Sequence, residues 1–507
     1  MEFRQETSVP IVPSTPAIER ASAGHVRRFP IRRGKAVILA ACAWPRLAYH
    51  GASAISQRIG DPMSLSSATS SIPAHDAAVD ALLAASLLAP EDAAVHAALG
   101  LALRAAGRDA EAVGAELASI ALGRHDALMY YNLGTSYLMT QRPALAVKWY
   151  RLALRVDPEL VAAHQNLATI LELDGCRREA LYHRDQAYRR QNIFIDGAPA
   201  APRTVLVLCT AGTGNVPIEY LLAPAHNRRV KWVMEYATLE QAAQLPPYDL
   251  VFNAIGDADV SPASREVVRR FLSTCEQPLL NAPAAVARTS RDLIPALLGD
   301  IEDVLVPPVL RLPANGVAPA KRLAEAGMRA PLLLRPVGSH GGRGLQKLDT
   351  AAALAAVPGD TAAECYASAY HDYRSADGHY RKFRVIFVDR QPYAYHLAIA
   401  AHWLLHYTSA DMLAHPWKRD EERRFLADPA GALGARGMAA LGAIGARLDL
   451  DFAGVDFALL PDGRLLLFEA NATMLVHTED FHDTLKAKNP HVRRILDAFD
   501  AMLAHRQ

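Results

Sequence analysis

Hydrophobic residues recur with helical spacing from about residue 75 to residue 194, in a stretch that is rich in Ala and Leu. Apolar positions three and four residues apart form one face of a helix, so this stretch is predicted to be helical. Beyond residue 203 the pattern changes to short, continuous apolar runs, as in "TVLVLCTAGTGNVPIEYLL" and "YDLVFNAIGD". Each run predicts a buried strand, and strands that alternate with helices predict a parallel sheet. An all-α part is therefore expected to precede an α/β part.

The helical stretch repeats itself every 34 residues. Small or apolar residues recur at this interval in four series: Leu99, Leu133 and Leu167; Gly100, Gly134 and Ala168; Leu103, Tyr137 and Leu171; Ala112, Ala146 and Ala180. The best copy is "NLGTSYLMTQRPALAVKWYRLALRVDP", in which Pro158 ends the second helix. These positions resemble the tetratricopeptide repeat, over about three and a half repeats. The resemblance implies a concave surface that binds a peptide or a partner protein, with bracing of the next domain as the alternative.

The loop "TAGTGNVP" follows the first strand of the α/β part. It lacks the full GxGxxG spacing of a dinucleotide loop, and Pro217 stands where the helix would open. Ligands often bind at the carboxyl edge of a parallel sheet, so we expect this loop to face a substrate rather than a cofactor.

A second glycine loop lies in "APLLLRPVGSHGGRGLQKL", between two predicted strands. Arg335 ends the first strand, and the loop runs from Ser339 through Gly341 and Gly342 to Gly344. Glycine lets backbone N–H groups approach phosphate oxygens closely. The layout differs from a P-loop, which opens a helix. An ordinary hairpin turn is the alternative to a phosphate loop.

Polar side chains interrupt the two most strand-like segments near the end of the chain. Asp456 lies at the centre of "FAGVDFALL", and Glu469 and Asn471 follow the apolar run "LLLF". Glu469 and Asn471 are two residues apart and so point to one face of a sheet. The turn "PDG" predicts a hairpin that brings Asp456 opposite this pair. Three oxygen donors on one face suit Mg²⁺. Acids on an exposed strand are the alternative, which the flanking apolar runs disfavour.

Residues 200–507 resemble the ATP-grasp ligases, which include D-alanine–D-alanine ligase, glutathione synthetase and the glutamate-adding ligases. "DFALLPDGRLLLFEAN" matches the metal signature of that family, and "LLLRPVGSHGGRG" matches its glycine loop over the ATP phosphates. In "YRKFRVIFVDRQPYAYHL" the matching arginine, which faces the γ-phosphate, is Arg384. The resemblance implies an α/β (α+β) ATP-grasp fold, use of ATP with Mg²⁺ (or Mn²⁺), and an acyl-phosphate intermediate. It also implies that the loops at 210–217 and 255–260 determine substrate specificity.

The sequence departs from the ATP-grasp pattern at one set of positions, and it leaves the residue that holds the ribose unassigned. Where the family has lysines on the nucleotide phosphates, this chain has Arg335 and Arg291, with Arg288 as a second candidate for the latter. Arginine keeps the charge, but its reach and fork differ from those of lysine. The acid that holds the ribose is expected in "AECYASAYHDYRSADG", as Glu364 or Asp372.

Charge and composition exclude some classes of protein. The net charge of the 507-residue chain is +1, which argues against a general nucleic-acid or membrane-surface binder. Five scattered cysteines without a CxxC pair favour reduced thiols in the cytoplasm. Histidines 396, 402 and 406 lack an evident closed ligand set, so core or pocket roles are expected for them.

The sequence divides into four expected regions. Residues 1–72 form a Ser/Pro/Arg-rich tail, within which translation is expected to start at Met63; residues 73–195 form the repeats; residues 196–287 form a first α/β subdomain; residues 288–507 form the catalytic region. The predicted function is an ATP- and Mg²⁺-dependent carboxylate–amine (or thiol) ligase, whose small-molecule or peptide substrates stay open. The alternative is a repeat scaffold whose nucleotide domain only senses ATP. A third hypothesis is a peptide-modifying ligase whose repeats capture the substrate.

Overall fold

The structure, a computed structural model, describes residues 72–507 except residues 261, 263, 315–318, 340, 358–363 and 480–481. The predicted tail up to residue 71, including Met63, lies outside the described residues. Seven helices open the described part of the chain: α1 (Ile72–Leu88), α2 (Ala93–Ala105), α3 (Asp109–Ala121), α4 (Ala127–Met139), α5 (Pro143–Val156), α6 (Val161–Leu173) and α7 (Arg177–Tyr188).

Helices α2 to α7 pack as three antiparallel pairs, and α1 packs against α2. The side chains of Asp92 and Asp126 accept hydrogen bonds from backbone N–H groups at the starts of α2 and α4, which satisfies donors that a helix leaves free. Gly100 and Gly134 allow close packing within their pairs, because a Cβ atom on either would lie less than 3.0 Å from Glu116 or Tyr150. The predicted helical repeats are therefore confirmed.

The first sheet follows directly and has five strands: β1 (Ile193–Asp196), β2 (Arg203–Cys209), β3 (Asn227–Val233), β4 (Leu250–Asn253) and β5 (Leu279–Leu280). Their order is β1-β3-β2-β4-β5. Strands β2 to β5 are parallel, as predicted, and β1 is an antiparallel strand at the edge next to β3. The first α/β subdomain was expected to begin at Asp196. In the structure Asp196 is the last residue of β1, so the first sheet begins at Ile193.

Nine further strands form two more sheets: β6 (Val304–Leu305), β7 (Val309–Leu312), β8 (Leu332–Pro336), β9 (Gln346–Leu348), β10 (Cys365–Ala369), β11 (Tyr380–Val388), β12 (Gln391–Ala400), β13 (Phe452–Leu459) and β14 (Leu465–Asn471). The second sheet is antiparallel, in the order β7-β10-β8-β9. The third sheet has the order β12-β11-β13-β14-β6, and only β6 is paired in parallel within the described residues.

Ten helices accompany these strands in the described residues: α8 (Ile218–Leu221), α9 (Leu239–Ala242), α10 (Arg265–Leu272), α11 (Pro283–Ala287), α12 (Ile294–Leu298), α13 (Pro319–Glu325), α14 (Ala351–Ala355), α15 (Pro416–Ala427), α16 (Pro429–Leu448, interrupted at Gly434) and α17 (Asn489–His505). None of the helices described here is both long and apolar enough to cross a membrane.

One continuous hydrophobic core joins the first and third sheets. The ring of Phe499 on α17 lies 5.7 Å from the rings of both Phe252 on β4 and Phe452 on β13. Buried Asn281, just after β5, donates a hydrogen bond to the carbonyl of Phe452 and accepts one from its N–H. The first sheet is therefore fixed against the sheet that carries the candidate metal residues.

Candidate active site

A cavity of about 250 Å³ lies between the second and third sheets. Strands β8 and β10 form one wall and β14 the other, and the loop after β4 closes one end. The cavity therefore brings together side chains from all three sheets.

One half of the cavity is a slot with largely apolar walls. Aliphatic side chains from both walls line it: Val306, Val309, Leu333, Leu405, Leu466 and Leu467. The rings of Tyr370 and Trp403, which also line the cavity, meet edge to face at 5.8 Å. The end of β10 and the segment that follows it also line the cavity, through Ala369 and His371. An apolar slot with a few backbone polar groups suits a flat heterocycle such as adenine.

The other half of the cavity is charged. Four cations line it, Arg291, Arg335, Lys382 and Arg384. Burial, together with the nearby charge of Arg291, lowers the pKa of Arg335 to about 10, so Arg335 stays protonated at neutral pH. Cations held this close together in a half-buried site are suited to a polyphosphate.

Asp456 lies at the floor of the charged half and is 2 % exposed. Its Oδ1 atom accepts a hydrogen bond from Arg384 Nε at 2.6 Å, and its Oδ2 atom accepts from Arg384 Nη2 at 2.8 Å and Lys382 Nζ at 3.1 Å. Burial acts to raise the pKa of this carboxyl, but Arg384 and Lys382 outweigh burial and hold the pKa well below its usual range. Asp456 is therefore ionised.

Glu469 stands directly opposite Asp456, as the predicted hairpin requires. The register shifts just after Asp456, because Phe457 pairs with Leu467 and Phe468 of β14 is passed over. Glu469 Oε1 accepts hydrogen bonds from Arg291 and, at 2.8 Å, from Nδ2 of Asn471. Burial raises the pKa of Glu469, but Arg291 and Arg335 outweigh it and lower the pKa to about 2. The three predicted metal residues all line the same cavity.

The glycine loop between β8 and β9 lies over the charged half of the cavity, where Gly338, Gly341 and Gly342 line it. Each has a positive φ, between 61° and 69°, which favours glycine. A Cβ atom on Gly342 would also overlap the ring of His406. Arg335 holds the start of this loop through the backbone carbonyl and the hydroxyl of Ser339.

The donor set fits a hard divalent cation. Two carboxylates and one amide meet at adjacent positions of β13 and β14, and the described residues hold no group of three or more His, Cys, Asp or Glu side chains arranged for a metal. Mg²⁺ is commonly held by one or two carboxylates together with substrate phosphates and water. The carboxylates are paired here with Arg384, Lys382 and Arg291, the same groups that a polyphosphate would attract. Asp456, Glu469 and Asn471 are therefore suited to hold a metal that arrives with a nucleotide.

Two predicted nucleotide residues do not reach the cavity. Glu364 is bound by Arg311, with 2.7 Å between Oε2 and Nη2, and Asp372 is an exposed residue bound by Arg374. The geometry therefore does not support either as the ribose acid. Gly344 belongs to the glycine loop but does not line the cavity, and the guanidinium of Arg288 binds the carbonyl of Leu448 instead.

The histidines expected in core or pocket positions divide among three environments. His406 lines the cavity. His396 is buried, does not line the cavity, and stacks on Tyr407, with 4.8 Å between the ring centres. His402 is exposed.

Sequence reasoning missed Lys382 as a site residue. Lys382 and Arg384 are two residues apart in "YRKFRVIFV", so both point to the same face of β11. This two-residue spacing from Arg384 could have identified Lys382 as a site residue from the sequence.

Sequence reasoning also left the individual acids of the loop after β4 unassigned. Asp257 and Asp259 line the cavity beyond the cations, and Asp259 accepts a hydrogen bond from the hydroxyl of Tyr366 at 2.6 Å. Burial raises the pKa of Asp259. The position of both acids at the carboxyl edge of the first sheet was their signal.

Comparisons with known proteins found similar folds among solved structures. No protein-family model matches the sequence, and no curated protein matches it. Among solved structures, the chain is similar to MamA, with 25% identity over 24% of this chain and 70% of that chain and a TM-score of 0.23. It is also similar to carboxyaminoimidazole ribonucleotide synthase from Aspergillus clavatus complexed with ATP, at 16% identity over 58% and 77% of the two chains and a TM-score of 0.37.

A further similar structure is D-alanine–D-alanine ligase from Bacillus anthracis, at 13% identity over 60% of this chain and 98% of that chain, with a TM-score of 0.40. The helical region is thus similar to tetratricopeptide proteins and the remainder to ATP-grasp ligases. These similarities concern the fold.

Proposed function

We propose that this protein is an ATP- and Mg²⁺-dependent ligase that joins a carboxylate to an amine or thiol through an acyl phosphate. The observation that carries the proposal is the meeting of four cations with Asp456, Glu469 and Asn471 in one half of a cavity whose other half is apolar. Such a lining supports binding of adenosine triphosphate, which has a flat base at one end and anionic phosphates at the other.

The first step is the attack of a substrate carboxylate oxygen on the γ-phosphorus, with release of ADP. Arg384 and Lys382 lie where they can hold the transferred phosphoryl group, and Arg335 and Arg291 neutralise the phosphates. A bound Mg²⁺ would supply further neutralisation of developing charge on phosphate oxygens. The glycine loop presents backbone N–H groups and limits access of water to the acyl phosphate.

The second step is attack of the amine or thiol on the acyl carbon, after which inorganic phosphate leaves and the nucleophile loses its proton. The acids Asp257 and Asp259 face the substrate end of the cavity, where a cationic amine is attracted. The helical repeats recruit a peptide or protein partner on their concave surface.

Hydroxylamine provides a direct test, because it replaces the natural nucleophile and converts an acyl phosphate into a stable hydroxamate. The full chain is incubated with ATP, Mg²⁺, hydroxylamine and a mixed pool of amino acids and short peptides. The proposal predicts carboxylate-dependent release of ADP and an equal amount of hydroxamate. Release of AMP, or no carboxylate-dependent nucleotide cleavage, would refute it.

A further inference from the structure

A second pocket, of about 300 Å³, lies in the last helix pairs, and it shares no lining residue with the cavity. Its lining includes Arg151 and Arg155 of α5, Pro158 of the next turn, His164 of α6 and His183 of α7. The two histidines are only 4% and 7% exposed, whereas the two arginines are exposed. The pocket is therefore a polar recess between the second helices of two successive pairs.

The corresponding place in the preceding repeat is mostly apolar. Four residues of the pocket, which we call the polar set, are Arg151, Arg155, His164 and His183. Their counterparts 34 residues earlier are Leu117, Ala121, Tyr130 and Trp149. The rings of Tyr130 and Trp149 pack together there, with 5.7 Å between their centres. Because one repeat packs without any of these arginines and histidines, packing alone does not explain the polar set.

His164 has a structural role within the polar set. Its Nε2 atom lies 3.0 Å from the carbonyl oxygen of Pro158. His96, two repeats earlier, makes the same bond to the carbonyl of Pro90 at 2.9 Å. A carbonyl oxygen only accepts hydrogen bonds, so Nε2 of His164 carries the hydrogen, and Nδ1 of the neutral ring is an acceptor.

His183 is left with a free acceptor. Its Nδ1 atom lies 2.7 Å from Nδ1 of His164, so His183 is the donor of that bond. Burial lowers the pKa of both rings. His164 and Arg151 act in the same direction on His183, whose pKa is about 4. Glu179 opposes this effect without reversing it.

Both rings are therefore neutral at pH 7, and Nε2 of His183 carries no hydrogen. Among the described residues no group hydrogen-bonds to this nitrogen, and it is not fully enclosed. A ligand in the pocket can therefore donate a hydrogen bond to it.

The two arginines give the pocket a positive charge. The guanidinium of Arg155 has no partner in the described part of the chain. Arg151 donates one hydrogen bond, from Nη2 to Glu179, and a guanidinium has further N–H donors. A metal ion at the two histidines would be repelled by these charges. The pocket instead suits an anion that also carries a hydroxyl group.

We propose that this pocket binds a phosphoryl group, of inorganic phosphate or of a phosphate monoester, whose oxygens accept hydrogen bonds from Arg151 and Arg155 and whose hydroxyl donates to Nε2 of His183. The second pKa of a phosphate monoester is about 6, so the group can retain in the pocket the proton that this nitrogen lacks. Sulfate has no such proton at pH 7. The pocket is separate from the cavity, and its binding does not depend on the proposed ligase function.

Calorimetry of the full chain at pH 7 tests the site with three titrants at equal ionic strength: inorganic phosphate, O-phosphoserine and sulfate. We expect at least one of the two phosphate compounds to bind, and sulfate to bind about tenfold or more weakly, because sulfate leaves the acceptor of His183 unsatisfied. The tighter of the two phosphate compounds identifies the source of the phosphoryl group. No binding of either one would overturn the proposal. Equal binding of sulfate would also overturn it, since a basic patch alone would then explain the binding.

Variants locate the bound group in the pocket. Arg155→Ala removes a charge-assisted hydrogen bond and should weaken phosphate binding about tenfold, whereas Arg178→Ala, an exposed arginine of α7, should have no effect. His183→Leu should abolish the preference for phosphate over sulfate, which a loss of packing would not do. Phosphate affinity that is unchanged in Arg155→Ala would overturn the proposal. Circular dichroism checks that each variant is folded, and an unfolded His183→Leu would leave Arg155→Ala and the wild-type comparison with sulfate to decide.

Discussion

Among single residues, Arg335 has the most specific assignment, because it connects the wall of the cavity to the glycine loop through Ser339. If it holds ATP phosphates, Arg335→Ala removes a charge-assisted hydrogen bond worth about 1.5–3 kcal/mol. We expect the Kd for ATP to rise roughly ten- to a hundredfold, as measured by calorimetry. Arg424→Ala, an exposed arginine of α15, is the control. Equal affinities in the two variants would remove Arg335 from the site.

The carboxyl group of Glu116, in the first complete repeat, is fully buried. The nearest positive charge is that of Arg104, whose Nη1 atom lies 3.9 Å from Oε1 of Glu116. Burial raises its pKa from an ordinary value of 4.5 to about 7. The folded state therefore holds the proton of Glu116 more tightly than the unfolded state does. This difference stabilises the fold fully below pH 4.5, and the contribution is lost as the pH rises through 7.

The stability of the repeats should therefore fall between pH 5 and pH 8, by on the order of 2 kcal/mol from this group. Glu116→Gln should remove most of that decrease, whereas Glu91→Gln, an exposed control, should not. Denaturation followed by circular dichroism at the two pH values measures the difference. A decrease that is equal in wild type and Glu116→Gln would show that this carboxyl is not responsible.

At the scale of strands and helices, buried ion pairs hold β1 against β3. Asp196 binds Arg229 and Lys231 of β3, the latter at 2.9 Å, and all three side chains are at most 15% exposed. Removing the acid of a buried ion pair leaves a costly uncompensated charge, typically about 3–5 kcal/mol. Asp196→Ala should therefore lower the melting temperature by several degrees, whereas Asp497→Ala on the exposed side of α17 should not. A melting temperature unchanged in Asp196→Ala would show that β1 is held by its backbone pairing alone.

The hairpin of β13 and β14 could be predicted from sequence because its information is local. Two apolar runs flank a "PDG" turn, and the alternation along each strand determines which side chains face each other. Strand β1 could not be predicted in this way, since it has four residues and its partner β3 begins more than thirty residues later.

The positions of the predicted ribose acids could not be derived from the local sequence either. The side chain of Glu364 is held by Arg311, a residue of β7 that is 53 positions earlier in the chain. A pattern of residue types carries no information about such a distant ion pair. Three of the four cations, Arg291, Arg335 and Arg384, could be named from the resemblance to the ATP-grasp pattern, whereas Lys382 was missed although it lies two residues before Arg384 on β11.

For the molecule as a whole, the contacts of β1 and α7 determine where the chain can be divided. A fragment that begins at Gln191 keeps β1 and Asp196, whereas a fragment that begins at Ala200 loses both and exposes β3. We expect the longer fragment to be stabilised by Mg·ATP, by about 2.7 kcal/mol at a hundredfold excess over Kd. The shorter one should melt at a lower temperature with a smaller nucleotide effect. Thermal denaturation of both fragments with and without Mg·ATP compares them, and identical behaviour would mean that β1 is dispensable.

The most direct test of the proposed ligase mechanism is the turnover of Glu469→Gln. This change keeps the size of the side chain but removes the charge that faces the candidate metal. A structural ion pair offers a closely matched control, because Glu421 is 24% exposed and pairs with Arg381, as Glu469 is 24% exposed and pairs with Arg291. Both variants should remain folded by circular dichroism, since an amide can keep neutral hydrogen bonds.

The measured quantity is carboxylate-dependent ADP release with saturating Mg·ATP and hydroxylamine. We predict that Glu469→Gln loses essentially all of this activity, by on the order of a hundredfold or more, whereas Glu421→Gln retains the wild-type rate. Near wild-type turnover in a folded Glu469→Gln protein would show that this carboxylate holds no catalytic metal, and would contradict the proposed ligase mechanism.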